Sequence, residues 1–167
     1  RLAGQPEAIS AATAAFPTLD DAVTTVIETI QSGVPIARIE LLDATSIRGF
    51  NMHSGHELPE TPTLFLEFHG SEAGVAEQAE TVAELARAND CLGVDWARDA
   101  EERTRLWAAR HDAYYAQMHL RPGAKGYVTD ACVPISRLAE AIAETEADLA
   151  DSPLIAPLVG HAGEGNF

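Results

Sequence analysis

The stretch Thr63-Leu64-Phe65-Leu66-Glu67-Phe68, held between Pro62 and Gly70, is the clearest strand in the chain. Apart from Glu67 its residues are β-branched, aliphatic and aromatic, and a proline and a glycine punctuate its ends. On either side, short runs of this kind alternate with amphipathic helices. Upstream, residues 36–42 (IARIELL) form a β-type run after Pro35, and residues 7–16 a weaker, alanine-rich one. Between these two, Thr18 stands as an N-cap with Asp21 three residues on, and Leu19, Val23, Val26, Ile27 and Ile30 keep helical spacing up to Gly33. The polar stretch 43–61 predicts one short helix and a loop. Downstream, the pattern predicts a helix over 71–89, a short strand over 91–96, and the longest helix over 99–119, closed by Arg121-Pro122-Gly123. A strand over 126–133, a helix capped by Ser136 and a strand over 154–159 complete the series.

Alternation of strands and helices by itself favours a parallel sheet. The strands are short, however, and no βα turn carries a phosphate-binding glycine fingerprint. A split βαβ, ferredoxin-like α+β sheet therefore fits the pattern equally well. No internal repeat or linker-like segment divides the chain, and residues 1–167 are expected to form a single domain.

The 26 acidic and 11 basic residues give a net charge of −15. That balance opposes nucleic-acid binding, which relies on Lys and Arg to neutralise phosphates, and it opposes a polybasic membrane patch. No run reaches the ~18 apolar residues of a transmembrane helix, and no signal peptide is visible. The expected location is intracellular, cytoplasmic or peripherally membrane-associated. Cys91 and Cys132 lie far apart in dissimilar contexts, and so read as two buried thiols rather than a disulfide or a CxxC metal site.

Three positions stand out chemically. His161 opens a glycine-rich turn (Gly160-His161-Ala162-Gly163-Glu164-Gly165-Asn166) directly after the last β-type run. The glycines would allow close backbone approach to a ligand, and the imidazole could ligate a metal, polarise a substrate or be structural. Arg110 lies on the apolar side of its helix, i+3 from Trp107 and i+4 from Leu106. A guanidinium there requires an anion. Glu40 or Glu67 could supply it as an internal salt bridge, or a substrate carboxylate could, by bidentate contact. Lys125, in Pro122-Gly123-Ala124-Lys125-Gly126, reads as a loop lysine. Asp130 falls within a β-type run and so reads as paired or at a sheet edge. His53 and His56 read as a solvated pair.

The segments Ala37-Arg38-Ile39-Glu40-Leu41-Leu42-Asp43, Thr63-Leu64-Phe65-Leu66-Glu67-Phe68-His69-Gly70, Leu106-Trp107-Ala108-Ala109-Arg110-His111, residues 129–138 (TDACVPISRL) and residues 160–167 (GHAGEGNF) come in the order seen in one family. The chain resembles the C-terminal cap domain of FAD-linked oxidases of the vanillyl-alcohol-oxidase type, on the branch of D-lactate dehydrogenase (cytochrome) and glycolate oxidase. The resemblance runs nearly end to end. It implies a ferredoxin-like antiparallel sheet with helices packed on it, and an N-terminal FAD-binding domain as the cap's partner. The implied reaction oxidises a D-2-hydroxy acid, D-lactate to pyruvate, with hydride passing to FAD. The family motif His-x-Gly-Asp-Gly-Asn-x-His binds a divalent metal such as Zn, Mn or Fe through its two histidines and a later glutamate. His161 matches the first histidine, Glu164 stands where the motif has Asp, and the remaining ligands are expected beyond Phe167. Asn166 matches the motif asparagine that faces substrate and flavin. Arg110 matches the arginine that binds the substrate carboxylate, and Lys125 matches a substrate-binding lysine only with a shift of a few residues. The chain is accordingly expected to be a cap fragment, inactive alone. The rival expectation is a stand-alone α+β small-ligand-binding or regulatory module.

Overall fold

The computed structural model describes residues 4–167. The Thr63–Gly70 stretch forms β3, the middle strand of a five-stranded sheet of order β4-β1-β3-β2-β5. The other strands are β1 (Ala8–Ala15), β2 (Arg38–Leu42), β4 (Gly93–Trp96) and β5 (Val159–Gly160). All four neighbouring pairs are antiparallel. The helices α1 (Leu19–Gln31) and α3 (Glu72–Ala88) explain the order. Each carries the chain across one strand's width, so β3 fills the gap between β1 and β2, and β1 the gap between β3 and β4. This is the interlocked split βαβ arrangement of a ferredoxin-like α+β fold.

Residues of β3 alternate between two buried faces. Leu64, Leu66 and Phe68 join Ala14, Phe16, Ile39 and Leu41 in a core with Val23 and Val26 of α1, Val75 and Val82 of α3, and Leu138 and Ile142 of α6 (Leu138–Ala150). Phe65 points the other way. There it meets Leu42 together with Ile47 and Phe50 of α2 (Ala44–Ser54) and Leu106, Trp107 and Ala109 of α4 (Ala100–His111). A strand covered on both faces reads as a continuous apolar run, and the only charge in this one, Glu67, is buried and ion-paired. The caps follow the sequence: Thr18, Asp43, Ser71 and Asp99 each accept a hydrogen bond from the backbone N–H three residues on.

Four expectations need correction. The helix over 99–119 is broken at Asp112 into α4 and α5 (Ala113–Met118), which leaves α3 as the longest helix among the described residues. α4 lies on the sheet, whereas α5 turns onto α2 and comes so close that a Cβ on Gly49 would lie 2.7 Å from Gln117 Oε1. The run 126–133 is no strand. Tyr127 is 91% exposed and Val128 70%, and β propensity does not hold a strand that has neither a ladder partner nor a buried face. Its end, residues 131–133, pairs instead with 165–167. The run 154–159 forms a strand only at Val159–Gly160. The pairing reaches back one residue more, where the Leu158 carbonyl accepts from Asp43 N and Ser46 Oγ, and stops at Pro157, which lacks an N–H. Ser136 sits inside a 3-10 turn (Ile135–Arg137), and α6 starts after it without a side-chain cap.

The two-faced burial of β3 predicts that Phe65→Ala costs about 3–5 kcal/mol of stability. Tyr127→Ala should stay within about 0.5 kcal/mol. Urea titrations of the two variants followed by tryptophan fluorescence check the contrast; equal effects would contradict the assigned faces.

Candidate functional site

Ladder register places the polar groups. Leu41 of β2 opposes Gly160 of β5, so the next residues along, Glu40 and His161, meet where β5 ends. His161 Nδ1 lies 2.7 Å from Glu40 Oε1. An ionised carboxylate only accepts, so Nδ1 is the donor, and in the neutral ring the lone pair sits on Nε2. From the helical side, Arg110 Nη2 donates to the other oxygen, Glu40 Oε2, at 2.6 Å. Glu40 is 8% exposed and Arg110 9%. One buried carboxylate thus holds Arg110 of α4 and His161 of the turn after β5.

The neighbouring charges repeat this pattern one step along. Two residues from Glu40 on β2, Arg38 lies 3.5 Å from Glu67 of β3, and its guanidinium carbon sits 5.0 Å from the centre of the Trp107 ring. His69 Nε2 lies 2.8 Å from the same Glu67 carboxylate. Trp107 and Arg110, one helical turn apart, therefore lie over Arg38 and Glu40, two residues apart on a strand. Glu40 and Glu67 are the anions this layer needs, and neither stands out in the sequence as more than a possible counter-ion for Arg110.

The layer is not fully satisfied. Arg110 Nε and Trp107 Nε1 are buried and have no hydrogen-bond partner among the described residues. Both groups can only donate. A buried unpaired donor costs about 1–3 kcal/mol, and an incoming acceptor removes that cost. A cleft of about 140 Å³ opens on the Glu40–His161 side of this layer, lined by Ile36, Arg38, Glu40, His161 and Glu164; neither Arg110 nor Trp107 lines it. The larger groove, between α3 and β4, lies elsewhere and is lined by Ala79, Ala83, Arg87, Cys91 and Trp96.

The other expected residues are not on this carboxylate. The Asn166 side-chain amide donates to Asp130 Oδ1 and to the Ala131 carbonyl, so its N–H groups fasten 130–131 to the terminal turn. Asp130, expected to be paired or at an edge, is paired. Lys125 is exposed and forms no ion pair or hydrogen bond among the described residues. Cys132 is exposed and Cys91 only partly buried, which corrects the reading of two buried thiols. His53 and His56 are not a solvated pair. His53 Nδ1 lies 3.2 Å from His119 Nε2, tying α2 to the end of α5, while His56 contacts Ser54 Oγ and packs near Phe50. Burial, together with the Arg105 charge, lowers the His56 pKa.

The glycines of the terminal turn are spent on the protein itself. A Cβ on Gly160 would lie 2.6 Å from the Asn166 carbonyl, one on Gly163 2.3 Å from Ile39 Cγ2, and one on Gly165 2.1 Å from the Val133 carbonyl. The turn therefore closes on 131–133 and β2 and leaves no cradle for phosphates, and the described residues do not fit FAD by themselves. Nor do they complete a metal site, because no three His, Cys, Asp or Glu side chains among them could hold an ion.

Residues 5–167 match the family described as FAD linked oxidases, C-terminal domain. The chain belongs to this family. It is 50% identical over all 167 residues to a zebrafish (Danio rerio) protein named probable D-lactate dehydrogenase, mitochondrial, covering 34% of that protein. It is 39% identical, again over its whole length, to the Arabidopsis thaliana D-lactate dehydrogenase [cytochrome], mitochondrial, of which it covers 30%. The Escherichia coli protein named glycolate oxidase subunit GlcD is 29% identical over the whole chain, with 34% of its length covered. The chain thus spans about a third of the length of these relatives. Among solved structures, an alkyldihydroxyacetonephosphate synthase superposes with a TM-score of 0.65 at 16% identity, over 95% of this chain and 34% of that one. A 4-ethylphenol oxidase from Gulosibacter chungangensis gives 0.63 at 12%, over 95% and 38%. At these identities the two structures speak for the fold alone.

Gly165 combines a left-handed φ of +75° with the contact to Val133, whereas Gly123 has φ +82° and open space around its Cβ position. Gly123→Ala should cost about 1 kcal/mol, the backbone term alone. Gly165→Ala should cost more than about 2 kcal/mol, because it also parts 165–167 from 131–133. Urea titration measures the stabilities, and amide exchange of Val133 and Phe167 locates the opening.

Proposed function

We propose that the chain is the substrate-side cap of a flavin-linked D-2-hydroxy-acid dehydrogenase that converts D-lactate to pyruvate. The observation that carries this reading is the Arg110 guanidinium, nine-tenths buried, held by Glu40 at one nitrogen and without a partner at Nε. A carboxylate supplies the missing acceptor oxygens, and guanidinium is the side chain best shaped to receive them. The three relatives described above act, by their names, on lactate or glycolate, both 2-hydroxy acids. Family membership and the buried arginine therefore point to the same ligand chemistry.

In this reading Arg110 binds the carboxylate and sets the position of the neighbouring carbon and its hydroxyl. His161, with its proton held on Nδ1 by Glu40, presents Nε2 to the polar end of the substrate. FAD, the oxidant of the family's description, would when bound take the hydride from the hydroxyl-bearing carbon, and the hydroxyl proton would pass to a base. Asn166 reaches substrate or flavin only through its carbonyl oxygen, since its amide hydrogens are engaged, and Lys125 reaches substrate only if its loop folds inward. Location follows the relatives named as mitochondrial: intracellular, with no helix among the described residues long and apolar enough to cross a membrane.

Arg110→Lys tests the reading, because it keeps the charge opposite Glu40 and removes the fork. In the intact, FAD-loaded protein this variant should lower kcat/KM for D-lactate about 100-fold, chiefly through KM. Flavin content and melting temperature should stay near wild type. Unchanged kcat/KM would return Arg110 to a purely internal salt bridge.

A further inference from the structure

We infer that Glu40 is a positioning residue of the substrate site, a single carboxylate that sets Arg110 and His161 relative to each other. The inference rests on the proposed substrate role of Arg110 and goes beyond it, because it assigns the site a third, previously silent member.

Several features separate this role from that of a plain counter-ion. A carboxylate present only to neutralise a buried guanidinium is expected to take two of its N–H groups in the fork geometry. Glu40 takes Nη2 alone, leaves Nε buried and unpaired, and spends its second oxygen on His161. The two groups it joins come from distant parts of the chain, 70 and 121 residues away. The ladder between β2 and β5 fixes the second contact, because Leu41 and Gly160 are partners and Glu40 and His161 follow them. The effect on His161 is specific: with Nδ1 donating to Glu40, the ring orientation is set and Nε2 carries the lone pair. A carboxylate behind an imidazole does this wherever the other nitrogen has work to do. The His161 side chain is 62% exposed, so the anchored ring still reaches out of the protein.

Glu67 provides an internal control. It is as buried as Glu40, at 6% against 8%, lies on the same face of the sheet, and also joins an arginine to a histidine, Arg38 and His69. Its arginine is more exposed than Arg110, 44% against 11%, so the two carboxylates are compared by activity per bound flavin, which a role in the fold alone would not lower.

The experiment compares Glu40→Gln, Glu40→Asp and Glu67→Gln in the intact, FAD-loaded protein. It measures kcat and KM for D-lactate per bound flavin, and the Kd of pyruvate from the change in flavin absorbance. Gln cannot accept from both partners, and Asp keeps the charge but is one methylene short of bridging them. Both Glu40 variants should lose at least tenfold in kcat/KM and bind pyruvate more weakly, whereas Glu67→Gln stays within twofold. Combining Glu40→Asp with His161→Ala should cost less than the product of the two separate losses, since part of the Glu40 effect passes through that ring and the rest through Arg110. The inference is overturned if the Glu40 variants match wild type per flavin, if Glu67→Gln loses as much, or if neither Glu40 variant folds with FAD, which would make Glu40 a residue of the fold. Arg110→Lys impaired beside normal Glu40 variants removes this inference only. Arg110→Lys at wild-type level removes the proposed function with it.

Discussion

A buried carboxylate cannot be left without donors, and the arrangement around Glu40 follows from that requirement. Taking a charge out of water costs several kcal/mol per ion unless hydrogen-bonded partners replace the solvent. Glu40 has two such partners, one on each oxygen, from a helix and from the turn after the last strand. Remove either and the carboxylate becomes costly; remove the carboxylate and Arg110 is buried with no anion among the described residues. α4 must then lie where Arg110 reaches β2, and the terminal turn must close where His161 does. Glu67, ion-paired with Arg38 and hydrogen-bonded to His69, imposes a similar requirement on the neighbouring strand.

Such a layer is poor evidence of stability, because well-packed apolar residues in its place often do as well. Arg110 Nε and Trp107 Nε1, buried and lacking acceptors, instead support the proposed reading of a site for an anion. Only the cap's contribution is visible in this chain. In the proposed reading it supplies a carboxylate-binding arginine and an aimed imidazole, while the described residues by themselves complete no metal site.

Much of the fold was legible because its signals are local. Thr18 marks a helix start by its side chain alone, and the apolar run of β3 is unambiguous between Pro62 and Gly70. The errors came where partners decide. Residues 126–133 have strand-like composition but no ladder to join, and the helix over 99–119 bends at Asp112 because α5 has its own partner in α2. Strand direction was equally closed to inspection, since alternation fits both parallel and split βαβ sheets; the resemblance pointed to the antiparallel order. In the site, the helical position of Arg110 showed that an anion was required and narrowed it to Glu40, Glu67 or a ligand. Helical spacing cannot choose among them. Nor could it show that Glu40 also holds His161, which depends on the register between β2 and a two-residue strand more than 100 positions away.

Arg110 is thus proposed to receive a carboxylate while Glu40 holds it and His161 in place. A crystal structure of the intact protein with pyruvate bound tests this most directly. The expected result is a pyruvate carboxylate oxygen within about 3 Å of an Arg110 nitrogen, with Glu40 still bridging Arg110 and His161. Pyruvate bound with its carboxylate on another cation, and Arg110 closed off against Glu40 alone, would contradict it.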